Sequence, residues 1–354
     1  MLGYILLFLA IVIAYIIKDK KKQLLFMFVA LTIFSGLRYG IGYDYYSYLV
    51  SCMRGSYLAD RFEPLPRMIA IWSQKTTPYL FFVLTSVFIS FFYYLGIKKG
   101  GNDYFCEAIF YICFPFLFFN QLSIIRQAMA SAVVFYAITL PHDMSLLSLK
   151  QYKRILLIVL AFLCHQSALV GVLILLPWHK VGKNYLWLMF ISTFVAGVAL
   201  VPILEGLLHM GIFGEELSMQ ALRYIENEAS GEGKMMRYLI YFVALMSLAL
   251  YNRLIKKDNT NAYYIGLVVL GASLFALFVF NSTVAKRFCI FFFSASIFIV
   301  PRIVRVLAIP QLIYVSIMTI LLSIQIYIGS SNTRPEDRNG SSVSYPYRTF
   351  LDRL

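Results

Sequence analysis

The sequence predicts an all-α, polytopic integral membrane protein, and three observations carry that prediction. Of its 354 residues 60% are hydrophobic and 14% charged, with a mean hydropathy of +0.76, which is more apolar surface than a globule of this length can bury. The apolar runs are long and continuous, with no alternation. In lipid, where backbone groups find no water, such runs read as helices rather than barrel strands. Lysines gather in the short loops between alternate runs, as the positive-inside rule requires.

About twelve segments have roughly bilayer-spanning length, several of them short or broken. They fall near 1–17, 24–37, 79–97, 105–119, 127–141, 153–164, 167–178, 185–203, 237–252, 262–280, 288–301 and 311–328. The first lacks a basic start and a small-residue cleavage site and is followed by Lys18, Lys20, Lys21 and Lys22. It is therefore expected to stay as a helix that begins outside, which puts both termini outside. With that orientation the inner face holds 16 cations and five acids, and the outer face 15 cations and 12 acids. Lysine is mostly inside (12 of 15) and arginine mostly outside (12 of 16). Topology explains the lysines. Arginine on the disfavoured face asks for another reason, either bidentate binding of phosphate or carboxylate, or pairing with outer acids and lipid phosphates.

The whole chain reads as a single membrane domain, residues 1–354, whose larger loops lie outside: 38–78, 204–236 and the tail 329–354. Its inner loops are too short for a nucleotide-binding module. The basic pI near 9.5 follows from membrane topology, so no nucleic-acid partner is expected. The five cysteines are scattered with no Cys-x-x-Cys pair, and no acid pair has metal-ligand spacing, so neither a metal nor a cofactor is expected.

Four places concentrate polar chemistry. The first is Arg38-Tyr39-Gly40-Ile41-Gly42-Tyr43-Asp44-Tyr45-Tyr46-Ser47-Tyr48, which emerges directly from an apolar helix. Its Arg suits phosphate, Asp44 can accept a proton, and Tyr43, Tyr45 and Tyr48 offer flat amphipathic faces to sugar. Downstream, the prolines of Arg61-Phe62-Glu63-Pro64-Leu65-Pro66-Arg67 hold Glu63 at a helix start. The second place is Asn120 to Gln127, where Gln121, Arg126 and Gln127 sit at the meeting of two apolar segments. An arginine there costs roughly 2.5–3.5 kcal/mol to insert, so it is kept for an anion or an internal partner, unless it snorkels to the interface.

The third is Cys164-His165-Gln166-Ser167, inside an apolar stretch too long for one span and too short for two. A break at His165 makes an ionisable group near neutrality at a helix junction, or simply a satisfied histidine at a turn. The fourth is Lys286-Arg287 after Asn281-Ser282-Thr283, outside if the segmentation is right. Arg223 belongs to the outer loop 204–236 and Arg237 to its far edge, and the segment Glu215 to Glu228 within that loop reads as an interfacial helix and lid or as a solvated acidic loop. The tail carries Tyr345-Pro346-Tyr347-Arg348, expected either to fold back on the outer face or to stay disordered.

Taken in order, the segments from Arg38 to Tyr48, Glu63-Pro64, Gln121 to Gln127, His165-x-Ser167-Ala168 and Tyr345 to Arg348 resemble the EpsG family of Wzy-like exopolysaccharide and O-antigen polymerases. Cys164 stands where that family usually has an aromatic residue. The resemblance implies a GT-C-like enzyme of the bacterial inner membrane, with its active site facing the periplasm. Its substrate would be an undecaprenyl-diphosphate-linked oligosaccharide, and its partners the lipid bilayer and a chain-length regulator. The expected reaction moves a glycan from its lipid diphosphate to a hydroxyl of the next lipid-linked repeat. Arg38, Arg126, Lys286 and Arg287 would hold the diphosphate. Asp44, Glu63 or His165 would serve as base, and Tyr43, Tyr45, Tyr48, Gln121 and Gln127 would contact sugar. The rival readings are a flippase of the same lipid-linked sugars and an O-antigen ligase.

Overall fold

Helices form where the apolar runs are uninterrupted, and several of them stop or start where the sequence supplies glycine, proline or an acidic cap. The computed structural model describes residues 2–141, 151–209, 232–331 and 347–353. The Glu215 to Glu228 segment with Arg223, and Tyr345-Pro346, lie outside the described residues. The first helices are α1 (Leu2–Ile16), α2 (Lys20–Leu37), α3 (Tyr45–Ser51), α4 (Pro64–Lys75), α5 (Leu80–Gly100), α6 (Tyr104–Cys113), α7 (Phe118–Ser123), α8 (Ile125–Ile138) and α9 (Tyr152–Cys164). Asp19 starts α2 by accepting the amides of Lys21 and Lys22 at 2.8 and 3.1 Å. These amides, that of Lys22 first, hold the Asp19 carboxyl below its usual range. Pro64 opens α4, where its missing N–H is no loss, and keeps Glu63 extended at φ −62°, ψ 160°. α9 stops at Cys164, His165 is extended at φ −161°, ψ 131°, and a 3-10 segment, Gln166–Leu175, follows.

Residues 1–175 with 308–354 make one compact unit, and residues 176–307 a second. In the first, α5 packs against both α2 and α8, and α8 also packs against α9. α8 is buried from Gln127 to Phe135, and its Ala128, Ala130, Ser131 and Ala132 let neighbouring helices approach closely. α6 lies against the helix Gln311–Ser331, whose Tyr314 hydroxyl donates to the Cys106 carbonyl at 3.0 Å.

Strand β1 (Arg38–Tyr39) pairs antiparallel with β2 (Arg348–Thr349), Arg38 opposite Thr349 and Tyr39 opposite Arg348. The described part of the tail therefore folds back. Tyr347 stacks on Phe34 at 4.6 Å and donates to its carbonyl at 2.5 Å, and Phe350 stacks on Tyr79 at 4.7 Å.

The second unit is built around the helix Thr260–Leu277, buried continuously from Asn261 to Ser273. The helices Lys183–His209, Glu232–Ala249 and Ser282–Phe293 pack against it. Arg302 donates to Asn261 at 2.6 Å and pairs with Asp258 at 3.4 Å, tying the helix Ser296–Val306 to the start of the central one.

By length and composition, three helices among the described residues can cross a membrane: Leu80–Gly100, Lys183–Leu200 and Thr260–Leu277. Two bent pairs raise this to five if each is one span: Met235–Ala249 with Tyr251–Lys257 at 66°, and Ser282–Phe293 with Ser296–Val306 at 64°. The fold is thus all-helical and polytopic, with three to five candidate spans where the sequence suggested about twelve. The difference lies in helix length. The apolar run near 105–119 is cut after Cys113, and several other expected segments form helices of only 10–17 residues, such as Gly3–Ile16, Ile125–Ile138 and Gln166–Leu175.

Candidate active site

The glycine-kinked segment after α2 is fastened to the junction between α7 and α8. Arg38, only 2% exposed, donates from Nε to the Ile41 carbonyl at 3.1 Å, from Nη1 to the Ser35 carbonyl and from Nη2 to the Leu122 carbonyl at 3.3 Å. Its guanidinium also lies 5.3 Å from the Phe82 ring centroid. Burial pushes its pKa down to about 10, which leaves it cationic at neutral pH. Gly42 sits at φ +110°, and a Cβ there would run into the Leu122 carbonyl. The Tyr43 amide then donates to Ser123 Oγ at 3.1 Å. Three consecutive devices therefore dock one loop onto Leu122-Ser123. Arg38, expected as an open phosphate ligand, is a buried strut.

Docking there brings Asp44 and Tyr48 beside the first turn of α8. Ile124 (φ −107°, ψ 55°) separates α7 from α8 and provides no side-chain cap, so the early amides of α8 keep their positive end of the dipole. Arg126 stands in that turn. Its Nη1 pairs with Glu63 Oε2 at 2.7 Å, its guanidinium lies 4.8 Å from the Phe62 ring centroid, and it hydrogen-bonds the Tyr48 hydroxyl. Its Nε is buried without a hydrogen-bond partner among the described residues. Burial raises the Tyr48 hydroxyl above its usual pKa, so it stays protonated and accepts from the guanidinium while retaining a proton to donate. Asp44 is exposed at the start of α3, does not cap that helix, and lies within electrostatic reach of Tyr48.

Glu63 extends the cluster to the break after α9, its Oε1 accepting a long contact from the Gln166 amide at 3.4 Å. One residue earlier, half-buried His165 is held by Ser167. The Ser167 amide donates to His165 Nδ1 at 3.1 Å, and Ser167 Oγ lies 2.8 Å from the same nitrogen. A backbone N–H can only donate, so Nδ1 carries the lone pair and the neutral ring carries its proton on Nε2. His165 is thereby prepared to donate a hydrogen bond. Acting as base through Nε2 would need the other tautomer.

The remaining expected site residues divide by burial. Tyr43 is 52% exposed, whereas Tyr45 is stacked on Phe82 at 4.3 Å inside an aromatic core that also holds Tyr48. Gln121 accepts from Tyr111 at 2.9 Å and donates to Tyr93 at 2.6 Å in a buried network, and Gln127 is buried in α8. Lys286 and Arg287 lie near the start of the helix Ser282–Phe293, whose Asn281 cap accepts the Val284 amide at 3.0 Å. They belong to the second unit. Phe62, under the Arg126 guanidinium, was not singled out from sequence. Its only signal is an aromatic residue directly before Glu63-Pro64.

A family model described as the EpsG family matches residues 21–349, a range that contains every residue of this cluster. No curated protein and no solved structure matches the chain.

Proposed function

The chain belongs to the EpsG family, and from that premise we propose that it is a polysaccharide polymerase, transferring a glycan from undecaprenyl diphosphate to a hydroxyl of a lipid-linked repeat unit. The carrying observation is Arg126. It is a guanidinium at an uncapped helix start, oriented by Glu63 and Phe62, with a buried Nε awaiting an acceptor. An anion placed there meets a planar fork and the positive end of α8 together.

In this reading the acceptor hydroxyl oxygen attacks the anomeric carbon of the donor, and the carbon–oxygen bond to the diphosphate breaks. The electron pair of that bond passes to the diphosphate oxygen and the hydroxyl proton to a base. Charge therefore grows on phosphate, where Arg126 stabilises it more in the transition state than before, which is the condition for catalysis. Of the three carboxylate and imidazole candidates for base, Asp44 is favoured because it is exposed at the start of α3 within electrostatic reach of Tyr48. Glu63 is ion-paired with Arg126, and His165 Nδ1 already accepts the Ser167 amide. His165 instead donates from Nε2 to the departing oxygen. Tyr43 guides sugar at the rim. The activated diphosphate bond supplies the driving force, so the reaction runs without nucleotide.

The setting is a GT-C-like bundle of about twelve crossings in the bacterial inner membrane. Both termini and the site face the periplasm, and a chain-length regulator is a partner. The test is reconstitution of purified protein with lipid-linked repeat units. Longer chains made without nucleotide are expected, whereas relocation of unextended units across the vesicle bilayer would assign the protein to transport.

A further inference from the structure

A groove beside Arg126 points to where the rest of the lipid lies. It is open, has a volume of about 380 Å³, and is lined by Phe62, Pro64, Arg67, Met68 and Ile71. Residues 64, 68 and 71 follow one face of α4, because side chains three and four apart meet on a helix. Met68 is 62% exposed and Trp72, one turn on, 58%, while Pro66, Ala70 and Ser73 bury the opposite face. A helix in water gains nothing by presenting methionine, isoleucine and tryptophan together, whereas a helix lying at a lipid interface does. Arg67 at the rim is held by Asp60 at 2.6 Å.

Phe62 belongs to both features, lining the groove and lying under the Arg126 guanidinium at 4.8 Å. The apolar channel therefore begins where the cation ends. An amphiphile with an anionic head and a long unsaturated tail matches that juxtaposition. Methionine, unbranched and polarisable, adapts to the methyl-branched contour of such a tail. We infer that the groove along α4 seats the first isoprene units of the polyprenyl tail whose diphosphate rests at Arg126. The identity of the tail rests on the polymerase reading, and the groove itself on the geometry of α4.

The experiment uses the full chain in vesicles of phosphatidylethanolamine and phosphatidylglycerol, with a polyprenyl diphosphate carrying a diazirine in its tail. Photolabelling is expected within residues 62–72, displaced by unlabelled undecaprenyl diphosphate but not by additional phosphatidylglycerol. Met68→Trp, which fills the groove from an exposed position, should lower that labelling about tenfold by removing a few methylene contacts. Ile71→Trp provides a second variant, each accepted only if monodisperse. Equal displacement by phosphatidylglycerol would mean bulk lipid and overturn the inference. Labelling that undecaprenyl diphosphate displaces but that maps to another segment would overturn the groove and leave the polymerase reading intact. No displaceable labelling anywhere would overturn both.

Discussion

Arg38 and Arg126 carry the same planar fork, and their surroundings use it differently. Arg38 meets three main-chain carbonyls and is fully enclosed, while Arg126 meets one carboxylate, one hydroxyl and one ring and keeps a buried donor unmatched among the described residues. The sequence shows both as arginines among aromatics. It cannot show which acceptor each finds, because a carbonyl brought by the chain's own turn and an oxygen brought by a ligand look alike to a guanidinium. Tyr45 and Tyr48 illustrate the same limit. The flat amphipathic faces of these tyrosines and Tyr43 suggested a sugar platform, but the short helix α3 turns Tyr45 and Tyr48 inward to Phe82 and Phe81. Two expectations follow for single residues. Asp44→Asn should reduce polymer formation about 10²–10⁴-fold, the usual contribution of a positioned base, with the protein still folded because the side chain is exposed. Unaltered turnover would remove Asp44 from the mechanism. Nitrogen-15 NMR of labelled histidine should show His165 Nδ1 unprotonated in the neutral ring, and a protonated Nδ1 would restore His165 as a candidate base.

At the scale of elements, the sequence was readable wherever chain chemistry forces a break. Pro64 starts α4, and the polar step at His165 ends α9. It was not readable where packing forces the break. The polar step from Asn120 to Gln127 marked a meeting of two apolar segments but not that the break falls at Ile124, and Gln166–Leu175 winds more tightly than its composition suggests. That junction is where the loop from α2 docks, so Gly42 offers a direct probe. Gly42→Ala forces both a left-handed backbone and a clash with Leu122. It should lower stability by more than the roughly 1–2 kcal/mol of left-handed strain alone. Gly55→Ala is the control, since Gly55 has φ +79° but open space around it, and should show only the strain. Equal melting temperatures for the two variants would mean that the loop is not held against the α7–α8 junction.

For the molecule as a whole, composition and charge identified the class, a helical membrane protein, because hydropathy needs no knowledge of packing. The number of crossings was less legible, since a continuous apolar run does not reveal whether it is one helix or two short ones. The role of the tail was legible only as a choice, and pairing of Arg348–Thr349 with Arg38–Tyr39 decides it for the described residues. Removing residues 347–354 should therefore loosen the loop that carries Asp44 and reduce polymer formation while the helices remain. Full activity of the truncated chain would show that the pairing is dispensable.

Equilibrium binding of undecaprenyl diphosphate to purified protein bears most directly on Arg126 as the diphosphate ligand, with wild type compared with Arg126→Lys. The substitution keeps the charge and removes the fork, so affinity should fall about tenfold or more, as loss of a bidentate phosphate contact implies. Unchanged affinity in a folded Arg126→Lys protein would contradict it.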